Sequence, residues 1–217
     1  ARAKLLGIDV PICEIDQPAK ASDQFDSSLP VISVPCNPVT PGTADGKTAA
    51  AVIQAIEMAV DFTLGGKTAA VVTNPIAKSV LAHEGFAYPG HTEFLAELGA
   101  RDGDVPLPGM MLAAPALRVV PVTTHIALKD VPGALTKELI TKISRITAAG
   151  LRQVFGVTQP RLMFAGLNPQ AGEDGLMGVE DDQIVRPAVE ELAAEGIDAT
   201  GPVSADTMFH KEARQRY

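Results

Sequence analysis

The sequence predicts an α/β fold, layered around a mostly parallel sheet. Short apolar runs alternate with segments whose apolar residues recur at 3.6-residue spacing. Glycine and proline punctuate the joins between them. The composition, 46% hydrophobic and 20% charged, is that of an ordinary globular chain. The 217 residues suffice for one large domain or two small ones. A composition change across residues 99–109 divides them into a first α/β domain, 1–98, and a second, 99–217.

Each element follows in order. Residues 1–7 read as the last turn of a helix and 210–217 as an uncapped helical segment, so both ends read as cut from a longer chain. Residues 10–15 and 31–34 read as strands, bounded by Pro11, Pro18, Pro30 and Pro35. Residues 47–64 place Ala49, Val52, Ile53, Ile56, Ala59 and Val60 on one helical face, and Gly65-Gly66 stops that helix. Residues 69–73 are expected as a buried strand. Asn74-Pro75 supplies an N-cap and a first-turn proline for a helix through His83. A short helix, 91–98, follows the Pro89-Gly90 turn. Residues 110–114 and 117–123 form an antiparallel pair around Pro115. Residues 130–155 are the longest helical stretch, with Leu135, Leu139, Ile140, Ile143, Ile146 and Leu151 on one face. A strand at 161–165 runs into a glycine-rich loop, 166–178, and a helix at 183–195 turns Ile184, Ala188, Val189 and Leu192 inward.

Charge and composition exclude several functions. A net charge of −8 argues against a phosphate-backbone binder and against a polybasic membrane-surface protein. No apolar run reaches the roughly 18–20 residues of a membrane span, and the first residues carry no signal-peptide core. Cys13 and Cys36 make neither a disulfide framework nor a metal-ligand spacing, so a reducing cytoplasm is expected. Gly65-Gly66-Lys67-Thr68 and Gly46-Lys47-Thr48 imitate the end of a phosphate loop. The motif's first glycine is replaced by Asp61 and Pro41 respectively, so both are expected to be turns. No G-x-G-x-x-G follows a strand.

Ligands of α/β sheets collect beyond the carboxyl ends of strands, and several polar clusters are placed there. Thr73-Asn74-Pro75-Ile76-Ala77-Lys78 is one, or simply a capped helix start. Pro89-Gly90-His91-Thr92 opens a helix whose free N–H groups favour anions, with His91 and Thr92 as added donors, or it is a plain cap. Thr123-Thr124-His125 sets a histidine where it can ligate a metal or move a proton, or is structural. The loop from Gly166 through Asn168, Gln170 and Glu173 brings backbone close to a ligand, and Glu180, Asp181 and Asp182 add an acidic patch, or a charged helix start. Asp206 lies beyond the Gly201-Pro202 turn, as a site carboxylate or an N-cap.

Taken in order, Thr73-Asn74-Pro75-Ile76-Ala77-Lys78, Gly90-His91-Thr92-Glu93-Phe94, Thr123-Thr124-His125, Gly166-Leu167-Asn168-Pro169 with Ala171-Gly172-Glu173, and Gly201-Pro202 with Ala205-Asp206-Thr207 resemble the 4-hydroxythreonine-4-phosphate dehydrogenase (PdxA) family. The resemblance implies a two-domain fold of the isocitrate and isopropylmalate dehydrogenase type, with residues 99–217 on its dimerisation and metal side. That fold binds NAD, or NADP, without a Rossmann fingerprint. The resemblance also implies a cytoplasmic homodimer, a small phosphorylated hydroxy-amino-acid substrate and a divalent metal (zinc, magnesium, manganese or cobalt). In the family reaction NAD oxidises the secondary alcohol of 4-phosphooxy-L-threonine and the β-keto acid loses carbon dioxide, on the route to pyridoxal 5'-phosphate. By the match His125 is a metal ligand, His91 and Thr92 contact substrate, and Asp206 is the catalytic carboxylate, while the cofactor-binding residues are unassigned. Gln170 stands where the family carries a metal-binding histidine, and a further family ligand falls beyond Tyr217. A relative acting on a four-carbon phosphorylated hydroxy acid or an aromatic cis-dihydrodiol, or a non-catalytic paralogue, are the alternatives.

Overall fold

The computed structural model describes residues 2–100 and 102–217. Ala1, in the helix turn expected over 1–7, and Arg101, in the stretch 99–109, lie outside the described residues. The architecture is mixed α/β, as the alternation predicts, and the chain divides into two compact units, Ala1–Pro108 and Gly109–Tyr217. Among the described residues no helix is long and apolar enough to cross a membrane.

In the first unit, α1 (Arg2–Leu5) leads to β1 (Ile12–Glu14), α2 (Ala21–Gln24) and β2 (Leu29–Val31). β1 and β2 are parallel, with Ile12 opposite Leu29 and Glu14 opposite Val31. Pro30, expected to bound the second strand, instead lies inside it. The ladder runs from the Leu29 N–H to the Pro11 carbonyl (2.8 Å) and from the Ile15 N–H to the Val31 carbonyl (2.9 Å), so the missing proline N–H is not called upon. α3 (Ala49–Leu64) grows from a 3₁₀ turn, Gly46–Thr48, where the Asp45 carboxylate accepts the Lys47 N–H. The false phosphate loop is therefore a capped helix start. Ile56 and Val60 of α3 and Phe94 of α5 (His91–Leu98) form the unit's core, with Val52, Phe86 and Tyr88 around them. The rings of Phe86 and Phe94 meet edge to face at 4.9 Å.

Two further expectations fail in this unit. Residues 69–73 form no strand, and Val72 is 96% exposed. A strand needs a partner for its N–H and C=O groups, and no described strand pairs with this segment. Asn74 does not cap a helix. Ala77 has ψ 84, outside the helical range, so α4 spans only Lys78–His83.

In the second unit β3 (Leu112–Ala114) and β4 (Leu117–Val119) form the expected antiparallel pair, shorter than the apolar runs. The stretch expected as one helix, 130–155, is two: α6 (Val131–Ala134) and α7 (Lys137–Gln153). Leu135 leaves the helical range (ψ 118), and the Thr136 hydroxyl accepts the Leu139 N–H at 3.1 Å, which starts α7 afresh. β5 (Arg161–Ala165), a π-turn (Asp181–Val185) running into α8 (Arg186–Ala194), and β6 (Asp198–Val203) follow. β5 and β6 are parallel. The sequence does not announce β6, because Gly201-Pro202 looks like a turn. Gly201 is instead a point of close approach, where an added Cβ would lie 2.7 Å from the Phe164 carbonyl. Leu135, Ile140, Val185, Ala188 and Val189 make the core, against which Val122, Phe164 and Leu167 pack. α9 (Ala205–Met208) follows β6. Residues 210–217 form a 3₁₀ turn, Ala213–Arg216, rather than an α-helix, and the Tyr217 hydroxyl donates to the Met208 carbonyl at 2.8 Å.

Candidate active site

Because β5 and β6 run parallel, their carboxyl ends open on one edge, where ligands of such sheets gather. From β5 emerges the loop 166–178, and from β6 emerges α9 with Asp206. The turn Pro169–Gly172 packs against α9. The structure therefore brings the Gln170 turn and the Asp206 helix together. Asp206 is exposed, and the Ser204 hydroxyl donates to its Oδ1 at 2.6 Å. Ser204, not Asp206, occupies the N-cap position, so the alternative reading of Asp206 as a cap does not hold.

The loop is held in an uncommon shape. Gln170 (φ 52), Ala171 (φ 53), Glu173 (φ 44) and Asp174 (φ 53) all lie in the left-handed region, which costs each non-glycine residue about 1 kcal/mol or more. In the orientation that satisfies both groups, the Gln170 amide donates to the two Glu173 carboxylate oxygens at 2.9 and 3.1 Å. Beneath the loop Asp181 is fully buried. It accepts the Leu167 N–H (2.7 Å), the Asn168 N–H (2.9 Å) and the Asn168 side-chain amide (3.1 Å). The same amide donates to Glu180 at 2.9 Å. Hydrogen bonds from its own backbone N–H, and then from Asn168, hold the Glu180 carboxyl below its ordinary range. The sequence shows Asp181 only as one of three adjacent acids. Its helical spacing from Val185, Ala188, Val189 and Leu192 places it on their buried stripe, and that is the signal that could have found it.

His125 lies in a bend beyond the end of β4 at Val119, not at a strand end, and it is exposed with φ 59. Val122, just before it, packs on the same buried cluster as Leu167 at the root of the loop. Among the described residues no group of three or more His, Cys, Asp or Glu side chains comes together as a metal site.

The first unit holds a cleft of about 410 Å³, within the size range of small-molecule sites. Thr73, Asn74, Ile76, Asp45, Thr48 and His91 are among its walls. His91 is the first residue of α5 and Thr92 the second, so both stand where helix N–H groups are unpaired. The His91 Nε2 is buried and, among the described residues, has no hydrogen-bond partner. Lys78 opens α4, yet its Nζ reaches the start of α5, 3.1 Å from where a Cβ on Gly90 would stand.

Known proteins share this sequence and fold. The profile of one family, described as Pyridoxal phosphate biosynthetic protein PdxA, matches residues 1–217. The chain belongs to the PdxA family. Among PdxA relatives, a 4-hydroxythreonine-4-phosphate dehydrogenase of Methylorubrum populi is 51% identical over 221 residues, which cover 100% of this chain and 63% of the relative. The enzyme of the same name from Caulobacter vibrioides is 46% identical, over 97% of this chain and 64% of its own. The crystal structure of the Klebsiella pneumoniae 4-hydroxythreonine-4-phosphate dehydrogenase superposes with a TM-score of 0.84 at 35% identity, covering 96% of this chain and 63% of that one. A terephthalate 1,2-cis-dihydrodiol dehydrogenase from Burkholderia xenovorans LB400 shares the fold, with a TM-score of 0.59 at 23% identity over 94% of this chain and 62% of that one. The chain thus spans about 63% of the length of the PdxA relatives it matches.

Proposed function

We propose that this chain is part of an NAD-dependent dehydrogenase that oxidises 4-phosphooxy-L-threonine (4-hydroxythreonine 4-phosphate) and decarboxylates the product, in pyridoxal 5'-phosphate biosynthesis. One observation carries the reading: a relative bearing that enzyme's name is 51% identical across 100% of this chain. The geometry supports it, since two strand ends deliver a shaped loop and a carboxylate to one edge. The reading includes NAD or NADP as oxidant, a cytoplasmic homodimer, and a small phosphorylated substrate without nucleic-acid or membrane partners.

Each residue has a role set by its surroundings. His91 offers the substrate a ring nitrogen that has no hydrogen-bond partner among the described residues, and Thr92 offers the next hydroxyl. The positive end of α5 beside them favours an anionic group of the substrate. Asp206 takes the proton from the alcohol oxygen, and the Ser204 hydroxyl holds that carboxylate in one orientation. Bound nucleotide supplies the hydride acceptor. No strand–turn–helix of this chain carries a dinucleotide glycine fingerprint, so no described residue is assigned to it. For a divalent metal His125 supplies one donor. The described histidine, cysteine and acidic side chains do not complete a site around it.

The test is turnover by the full-length protein given 4-phosphooxy-L-threonine with NAD or NADP, and zinc, manganese or magnesium in turn. Reduced nucleotide and carbon dioxide are expected in equal amounts. Absence of turnover under every combination sinks the reading. Turnover of an aromatic cis-dihydrodiol or a four-carbon phosphorylated hydroxy acid alone replaces the substrate.

A further inference from the structure

We propose that Asp181 is a positioning residue for the reaction, whose buried carboxylate fixes the loop 166–173 in the conformation that sets the Gln170 turn against the helix of Asp206. The inference rests on the function proposed above, and it begins from a side chain that the chemistry does not touch. Asp181 is 0% exposed. A carboxylate in such a place costs several kcal/mol unless its oxygens are satisfied. Among the described residues no lysine, arginine or histidine pairs with it. The compensation comes from three N–H donors, two of them consecutive backbone groups, at Leu167 and Asn168. Two successive N–H groups aimed at one carboxylate require the backbone to curl around it. The bonds therefore dictate how the chain leaves β5.

The packing leaves no slack around that curl. A Cβ on Gly166 would lie 2.7 Å from the Ala171 Cα and 3.1 Å from the Asp181 Oδ1. On Gly172 it would lie 2.8 Å from the Gly178 carbonyl and 3.6 Å from the Asp181 Oδ2. The loop thus closes on the carboxylate from both sides. The left-handed residues Gln170, Ala171, Glu173 and Asp174 persist only because something over-determines them. Asp181 itself is anchored below, since Val185, Ala188 and Val189 on the same helical stripe lie in the unit's core. An apolar residue on that stripe would bury with less cost. What the carboxylate adds is a fixed loop, and this loop is the one that packs on α9.

The experiment uses the full-length protein with Asp181→Asn, and Ile143→Val as a comparison. Ile143 is a buried α7 residue that takes no part in the loop's hydrogen bonds. The asparagine keeps the shape but sets an NH₂ group against an N–H donor. Turnover of 4-phosphooxy-L-threonine and hydrogen exchange of the Leu167 and Asn168 amides are both measured at equal folded fraction. Asp181→Asn is expected to lower kcat about 100-fold with KM little changed, as a loop misplaced by about 1 Å does. It is also expected to speed exchange of the two amides about 10-fold. Ile143→Val is expected to lower the melting temperature and change neither readout. A kcat loss in Asp181→Asn no larger than in Ile143→Val, or unchanged exchange at Leu167 and Asn168, overturns the proposal. If Asp181→Asn does not fold, Asn168→Ala takes its place, because it leaves both backbone donors to Asp181, with Glu180→Gln as the control for the Asn168–Glu180 hydrogen bond that it also removes. A kcat loss of about 10-fold then supports the clamp, and none overturns it. An inactive wild-type protein overturns the functional reading instead, and the exchange measurement then decides the clamp by itself.

Discussion

In the unit Gly109–Tyr217 the strands β5 and β6 share a parallel ladder and α8 packs on it, and even the loop leaving β5 is tied to the core through Asp181. In the unit Ala1–Pro108 the segment 69–77 forms no ladder among the described residues, and one of its valines is 96% exposed. Both β5 and the run 69–73 are apolar by composition. The difference is the presence of a partner, because an extended chain satisfies its backbone only against another one. The two candidate sites differ in the same way. The edge beside Asp206 is shaped by hydrogen bonds, whereas the cleft beside His91 is shaped by helix packing around Ile56, Val60 and Phe94. A site shaped by hydrogen bonds suits chemistry that needs fixed angles, and a packed cleft suits substrate capture.

The proposed roles, proton transfer for Asp206 and substrate binding for His91, can be broken by kinetics. In the full-length protein Asp206→Asn is expected to lower kcat by about 10²–10⁴-fold with little change in KM. His91→Ala is expected to act mainly on KM for the phosphorylated substrate. If both variants lose the same parameter to the same extent, the two units do not hold separate roles. The contrast in order can be tested by unfolding in urea. Ile140→Ala, in the core of the second unit, is expected to cost about 2–5 kcal/mol. Val72→Ala, on the unpaired segment, is expected to stay within about 0.5 kcal/mol. A large loss at Val72 would mean that the segment is buried in solution.

The same contrast explains what can be read from the residues alone. The helices α3, α5 and α8 are legible because a helix satisfies its own backbone, so 3.6-residue spacing and end signals suffice. β5 is legible because its apolar run is also its paired length. β6 is not, since Gly201-Pro202 imitates a turn and only the approach of Phe164 shows why glycine is needed there. The strand expected at 69–73 fails for the converse reason: apolar residues announce extension, not a partner. At the sites, His91 is legible as the first residue of a helix after a Pro-Gly turn. Asp181 is hidden between Glu180 and Asp182, which together suggest an acidic patch or a charged helix start, while its burial is decided by the loop folded over it. The sequence also suggests one helix over 130–155, although Thr136 followed by Glu138 marks a fresh start.

The helix break at Leu135 and the ion pairs that bind α7 to α8 allow smaller and finer tests of the ordered unit. Thr136→Ala removes the cap that accepts the Leu139 N–H and is expected to cost about 1 kcal/mol in urea unfolding, less than the core truncation. The ion pairs are weaker still. Lys137 reaches Glu191 at 2.8 Å, and Arg145 reaches Glu191 at 2.8 Å and Glu195 through its Nε at 2.9 Å. The Lys137 hydrogen bond, then that of Arg145, holds the Glu191 carboxyl below its ordinary range, and Arg145 does the same for Glu195. Both carboxyls therefore bind protons less readily folded than unfolded. Their contribution is complete above the unfolded carboxyl value of about 4.3 and disappears as pH falls through the lower folded values. The Lys137 ammonium is shifted upward by Glu191, so its share is present below about 10.4 and is lost as pH rises past its raised value. Glu195 is exposed and Lys137, Arg145 and Glu191 are half-buried at the surface, so added salt should shrink the effect. Replacing Glu191 and Glu195 by glutamine should flatten the acid limb of the urea midpoint between neutral pH and about pH 3. If the doubly substituted protein loses stability in acid as steeply as the wild type, the α7–α8 contact owes its strength to apolar packing alone.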